Sequence, residues 1–140
     1  MTTYCDYAAG APMRDEALEV YIKFAREQFA NASAHHPMAY AARLELDRAH
    51  KRAADVLGVD AREIIFTSGG TEADILAIHG VMTLNDRDEI VVSAIEHHAV
   101  LHEAERWRKA GKTLHIAPVT SDGIIDLEAL RDLVNTNTAL

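Results

Sequence analysis

Glu63-Ile64-Ile65-Phe66-Thr67-Ser68-Gly69-Gly70-Thr71-Glu72-Ala73 is where the hydrophobic period of this chain changes. Residues 63–67 are a short β-branched and aromatic run, bounded by Arg62 and Gly69, and predict a buried strand. Two glycines follow, then a helix expected from Thr71 to about Thr83. Downstream the alternation continues. Residues 89–93 (Glu-Ile-Val-Val-Ser) predict a second strand, 98–110 a helix ended by Gly111, and 113–117 a third strand. Ser121-Asp122-Gly123 reads as a turn, and Asp126 as the cap of a helix running to about Val134. Thr138-Ala139-Leu140 has the character of another strand beginning. The order β-α-β-α-β-turn-α-(β) predicts an α/β fold with a mostly parallel sheet and flanking helices.

Upstream the period is helical. Residues 1–14 predict an extended arm with a turn at Gly10 and Pro12. From Asp15, Leu18, Ile22, Ala25 and Phe29 form one apolar stripe. Asn31 to Pro37 reads as a loop. A second helix is expected over about 38–57, with Ala42, Leu46, Ala49, Ala53 and Val56 on one face and Gly58 as its stop.

Composition narrows the function classes. The chain has 140 residues, 49% hydrophobic and 26% charged, with 22 acidic against 14 basic side chains and a net charge of -8. Its length suits one ordinary domain. The acidic balance argues against nucleic acid as a partner, because a phosphate backbone demands clustered Lys and Arg. The densest basic group, Arg106, Arg108, Lys109 and Lys112, reads as a solvated helix end. The single cysteine, Cys5, permits no internal disulfide and suggests a reducing, cytoplasmic setting. No apolar run approaches the ~20 residues of a membrane span, so no membrane partner is expected. The first residues lack the character of a signal peptide.

Two stretches carry chemistry. At Thr67–Glu72, glycines permit close backbone approach, and a helix N-terminus offers free N–H groups with partial positive charge. Ser68 and Thr71 add hydroxyls. The stretch is neither a Walker loop nor a dinucleotide fingerprint. A tight turn with Thr71 as N-cap and Asp74 three residues on is the equally weighted structural alternative. The second stretch is Glu96-His97-His98 with His102, directly after the second strand. In a parallel sheet, ligands collect beyond the strands' C-terminal ends. His98 and His102 have a spacing that can ligate zinc, but no Cys completes a set and no metal site is assigned. For His97 alone, a polar loop residue satisfying backbone groups is the plainer reading. Asp6-Tyr7-Ala8-Ala9 and His35-His36-Pro37 read as a surface latch and a solvated connection, Cys5 as inert, and Met82 and Trp107 as core.

Asp6-Tyr7-Ala8-Ala9, then 63–73, then Ile95-Glu96-His97-His98-Ala99-Val100, then Asp122-Gly123 before residues 126–130, occur in that order. Together they resemble the N-terminal part of a NifS/IscS-type cysteine desulfurase, a pyridoxal-phosphate (PLP) enzyme of the class V aminotransferase fold. The resemblance implies an N-terminal arm over 1–14 and an incomplete PLP-binding large domain (fold type I) over 15–140. It implies that Gly70 and Thr71 hold the PLP phosphate. It implies that His97 stacks on the pyridine ring and handles protons, which makes it the one catalytic candidate. The family reaction takes sulfur from L-cysteine, leaving alanine and a persulfide on an enzyme cysteine, for iron–sulfur cluster assembly.

The departures are local. The arm reads Ala9-Gly10-Ala11-Pro12 where relatives carry Thr-Thr or Ser-Thr before the proline, and the 31–37 loop differs too. PLP chemistry needs a Schiff-base lysine and an acidic partner for the ring nitrogen. In the family both lie beyond residue 140, as does the sulfur-accepting cysteine. Lys23, Lys51, Lys109 and Lys112 have no family motif around them. The expectation is therefore an N-terminal fragment, inactive alone, with PLP absent or weakly held. The strands bridging 63–67 to the others would come from outside it. Its partners would be the remainder of its own enzyme or a second copy, as a homodimer, with sulfur-acceptor proteins for the full enzyme. Another class V enzyme (a selenocysteine lyase or an aminotransferase) and a non-catalytic, partner-binding half-protein are the alternatives.

Overall fold

The computed structural model describes residues 2–140; Met1, in the expected arm, lies outside the described residues. The chain divides into two units, Met1–Ile65 and Phe66–Leu140.

In the first unit the arm turns at residues 7–9. Tyr4 Oη donates to the carbonyls of Asp6 at 2.8 Å and Gly10 at 3.0 Å. Its ring meets Tyr7 edge-on at 5.0 Å. Helix α1 spans Asp15–Glu27, with Asp15 and Glu16 in its first turn, where the helix dipole favours them. Helix α2 spans Pro37–Leu57. His36 caps it, Nδ1 accepting from the Ala39 N–H at 3.3 Å, and Pro37 takes the first helical position, where no N–H is needed. Gly58, at φ 71°, ends it in the left-handed conformation that glycine adopts without strain. These helices match the expected spans. Their apolar faces are largely uncovered, however: Leu18 and Ile22 are about two-fifths exposed, and Phe29 and Val56 far more. Periodicity marked faces that seek burial, and the described residues bury them only in part: Ala42, Ala49 and Ala53 are half-buried.

Residues 63–67 correct the reading that opened the chain. Ala61–Glu63 is a single 3₁₀ turn, closed by a reciprocal capping box between Asp60 and Glu63. Ile64 continues in extended backbone, but no strand is formed over 64–67, and Ile65 and Phe66 are more than half exposed. A strand needs a ladder partner, and among the described residues the sheet's pairing does not include this stretch.

The second unit holds the sheet. Helix α3 is Gly70–Leu84, strand β1 Glu89–Ser93, helix α4 His98–Lys109, strand β2 Thr113–Ala117 and helix α5 Leu127–Leu133. β1 and β2 pair in parallel, from Glu89 opposite Thr113 to Ser93 opposite Ala117. On β1's other side the chain end begins a third parallel strand. The Ala139 N–H donates to Glu89 O at 2.8 Å, and the Val91 N–H to Leu140 O at 2.9 Å. β1 is thus the central strand. The Thr113–Ala117 and Glu89–Ser93 spans and the beginning strand at 138–140 all agree with the sequence reading.

The core lies between the sheet, α3 and α4. Ile78 and Met82 of α3, Ile90 and Val92 of β1 and Ala104 of α4 are buried, and Val100, Leu101, Trp107 and Leu114 pack against them. Each such aliphatic side chain contributes about 1.5–3 kcal/mol. Gly123, at φ 75°, turns the 119–125 hairpin. Asp126 then caps α5, its Oδ1 accepting from the Glu128 and Ala129 N–H groups.

Candidate cofactor-binding edge

Chain direction places the two motif stretches together. α3 runs into β1 through a short link, so its N-terminus points toward β1's C-terminal end. α4 starts just beyond that end. Both helix N-termini therefore face one edge of the sheet, the edge where α/β folds bind ligands. Asp74 of α3, Ser93 of β1 and Glu96 of the following turn share a concavity of about 400 Å³ there, otherwise walled mainly by aliphatic side chains.

The N-cap of α3 is Gly69, not Thr71, and no side chain caps it. The structural alternative for this turn required a Thr71 cap, which does not form. Gly70 and Thr71 are the first two helical residues, and their N–H groups fall among the four that no helix satisfies internally. A Cβ built at Gly69 or Gly70 meets no heavy atom within 4 Å, so the space ahead of the turn is open. The turn is held by its own side chains. Glu72 Oε2 accepts from the Ser68 N–H and Oγ, both at 2.6 Å, and Thr67 Oγ donates to Gly69 O at 3.1 Å. The Ser68 hydroxyl proton is therefore spent on Glu72, whose carboxyl these bonds pull below its usual 4.5. Thr71 remains the exposed hydroxyl of the turn.

His97 is the N-cap of α4. Its Nδ1 accepts from the Ala99 N–H at 3.1 Å. An acceptor Nδ1 puts the neutral ring's proton on Nε2, and the ring is otherwise exposed. The plainer reading of His97, satisfying backbone groups, is thus true of one nitrogen, while the other belongs to an exposed ring. His98 and His102 stack at 5.7 Å. Among the described residues, no group of three or more His, Cys, Asp or Glu side chains gathers as a metal site would.

Sequence reasoning missed the fasteners around this edge. Buried Ser93 donates to Glu96 Oε1 at 2.8 Å; its Ser-x-x-Glu spacing, like a capping box before α4, was the available signal. Glu103 of α4, 5% exposed, takes a bidentate grip from Arg106 at 2.8 and 2.5 Å, and Arg106 also meets His79 of α3. The grip lowers the Glu103 carboxyl below 4.5 against the opposing effect of burial. At the opposite edge, Glu89 accepts from Asn135 at 2.7 Å and Asn137 at 3.3 Å and meets His115 at 2.9 Å, which again lowers its pKa. No local pattern announces these contacts, which span 26 to 48 positions. The basic group at α4's end is solvated, though mostly paired: Arg106 with Glu103, Arg108 with Glu105 and Lys112 with Asp88.

Comparison with known proteins extends this picture. The chain is 37% identical to a cysteine desulfurase IscS of Dictyoglomus turgidum over 98% of its own length and 35% of that protein's. It is equally similar to an IscS of Methanosarcina thermophila, and 39% identical to a cysteine desulfurase of Cereibacter sphaeroides. Among solved structures, a NifS-like protein superposes with a TM-score of 0.85 at 34% identity, over 93% of this chain and 36% of that one. SspA in complex with cysteine superposes with a TM-score of 0.84 at 32% identity, over 98% and 40%. The chain thus spans about a third of the length of the curated relatives it matches. The aminotransferase class-V family model matches residues 3–140, and the chain belongs to that family.

Proposed function

We propose that this chain supplies the phosphate-holding and ring-facing part of a PLP site in a cysteine desulfurase. The observation that carries the reading is one sheet edge with two helix N-termini, one left uncapped at Gly69-Gly70-Thr71 and the other led by His97. Membership of class V implies PLP as cofactor. The residues fit it: free N–H groups, open space and a hydroxyl suit a phosphate, and an exposed imidazole with a fixed tautomer suits an aromatic ring. When bound, PLP supplies the electron sink for amino-acid chemistry. The chain's own contribution is to bind the phosphate through Gly70 and Thr71. His97 orients the ring and presents a proton at Nε2.

The whole reaction, sulfur removal from L-cysteine to a cysteine acceptor, belongs to this proposal too. So do the large domain over 15–140, pairing with the rest of the enzyme or a second copy, and a cytoplasmic setting. Lys109 ends α4, about 18 Å of helix from His97, and Lys112 precedes β2 at the sheet's opposite edge. Neither is placed to attach a cofactor at the Gly70–His97 edge. The chain alone is therefore expected to hold PLP at most weakly and not to turn over L-cysteine.

Titration with PLP and with pyridoxal, which lacks the phosphate, tests the reading. PLP is expected to bind at least about tenfold more tightly, a difference of about 1.4 kcal/mol. Equal affinities would remove the phosphate role of the Gly70–Thr71 turn.

A further inference from the structure

We propose that Ser93 and Glu96 are positioning residues that set the orientation and tautomer of His97, a role that rests on the reading of this edge as a PLP site. The stretch between β1 and α4 is only four residues, Ala94 to His97, and it is fastened at several points. The Ala94 N–H donates to Ala117 O at 2.9 Å, tying the turn to β2. Ser93 Oγ, in a side chain 6% exposed, donates to Glu96 Oε1 at 2.8 Å, which closes the turn on itself. His97 follows immediately. Its ring accepts from the Ala99 N–H, and its carbonyl accepts from the Val100 and Leu101 N–H groups at 3.0 and 3.2 Å.

The chemistry of the pair explains why a clamp is needed. Glu96 is half-buried beside aliphatic walls, with Asp74 of α3 lining the same concavity. A carboxylate there must either be paired or turn out to water. The Ser93 hydroxyl gives it a charge-assisted bond and holds it in. Without that bond, Glu96 swings toward solvent and frees residues 94–96. His97 then loses the backbone position that aims Nδ1 at the Ala99 N–H. Among the described residues no other contact of the His97 ring fixes which nitrogen bears the proton; its neighbour His98 lies 6.2 Å away, ring to ring. Ser93 and Glu96 touch no ligand in this role and act only through His97.

The test reads the His97 ring directly, in the full 140-residue chain with ¹⁵N-labelled histidine. Long-range proton–nitrogen correlation at mildly alkaline pH distinguishes the Nδ1–H and Nε2–H forms. The wild-type chain is expected to show His97 as Nε2–H alone. Ser93→Ala and Glu96→Ala are each expected to give a mixture of tautomers, while Ser93→Thr and Glu96→Gln, which keep donor and acceptor, restore the single form. Ser93→Ala is also expected to weaken PLP binding about tenfold while leaving inorganic phosphate binding unchanged, because phosphate reads only the α3 turn. A single Nε2–H form in both alanine variants would overturn the clamp. If Ser93→Ala fails to fold by circular dichroism, the comparison of Glu96→Ala with Glu96→Gln decides alone. A wild-type chain that binds no PLP would defeat the proposed function, and the ligand-free tautomer measurement would still decide the clamp.

Discussion

At position 71 an exposed threonine hydroxyl and a backbone N–H stand in the first turn of α3, next to glycines whose surroundings are open. Helix N-termini in folded proteins are normally capped by the side chain of Ser, Thr, Asp or Asn, and a glycine in that place, as at Gly69, gives up about a few tenths of a kcal/mol. A turn that has no side-chain cap, and that is braced by Ser68 and Glu72, leaves the Gly70 and Thr71 N–H groups for an outside anion. Thr71→Val keeps the shape and the N–H groups but removes the hydroxyl. It is expected to weaken phosphate binding roughly five- to tenfold, as loss of one hydrogen bond does, with little change in thermal stability; isothermal titration with inorganic phosphate checks this. The turn itself was legible in the sequence as glycines at a strand-to-helix joint. The cap was not, because Gly69 and Thr71 compete for a boundary that shifts by two residues. His97 was legible only through the ordered motifs around it, since a lone histidine after a strand carries little information.

Elements were read more surely than their partners. β1, β2 and helices α1 to α5 fell where periodicity placed them, with the start of α3 earlier than its expected cap. Residues 63–67 did not form a strand, because composition signals β tendency while pairing depends on a distant neighbour. The α3–α4 contact is the clearest case of information absent from local pattern: Glu103, Arg106 and His79 meet across 27 positions. This contact makes a pH prediction. The folded state holds the Glu103 carboxyl below 4.5, so the unfolded chain binds the proton more tightly. Its stabilisation is full above that value and is lost as pH falls through the lowered folded value. Thermal midpoints are expected to drop on acidification below about pH 4.5. Glu103→Gln should be less stable at pH 7 by about 1 kcal/mol, allowing for the half-exposed Arg106, and should show a shallower acid slope. An unchanged slope would show that other carboxylates carry the acid response.

For the molecule as a whole, sequence composition described an ordinary domain, and the structure describes two units, each with exposed apolar side chains. Leu84 is 89% exposed, Val56 85% and Phe29 71%. Such surface is what water penalises most, and it gathers where proteins meet partners or aggregate. A net charge of -8 opposes association without covering those side chains. Among the described residues, no helix is long and apolar enough to cross a membrane, so a bilayer-spanning helix does not account for these faces. Sedimentation velocity across a hundredfold concentration range is expected to show self-association. A monomer at all concentrations, with a single cooperative unfolding transition, would mean that the exposed faces need no cover.

The central claim is that one sheet edge, built by Gly70, Thr71 and His97, receives PLP. Amide and imidazole NMR shifts of the labelled chain during titration with PLP test it most directly. The expected result is saturable shifts concentrated at the Gly69, Gly70 and Thr71 amides and the His97 ring, with inorganic phosphate reproducing only the amide part. Shifts that are absent, or that centre on residues away from this edge, would contradict it.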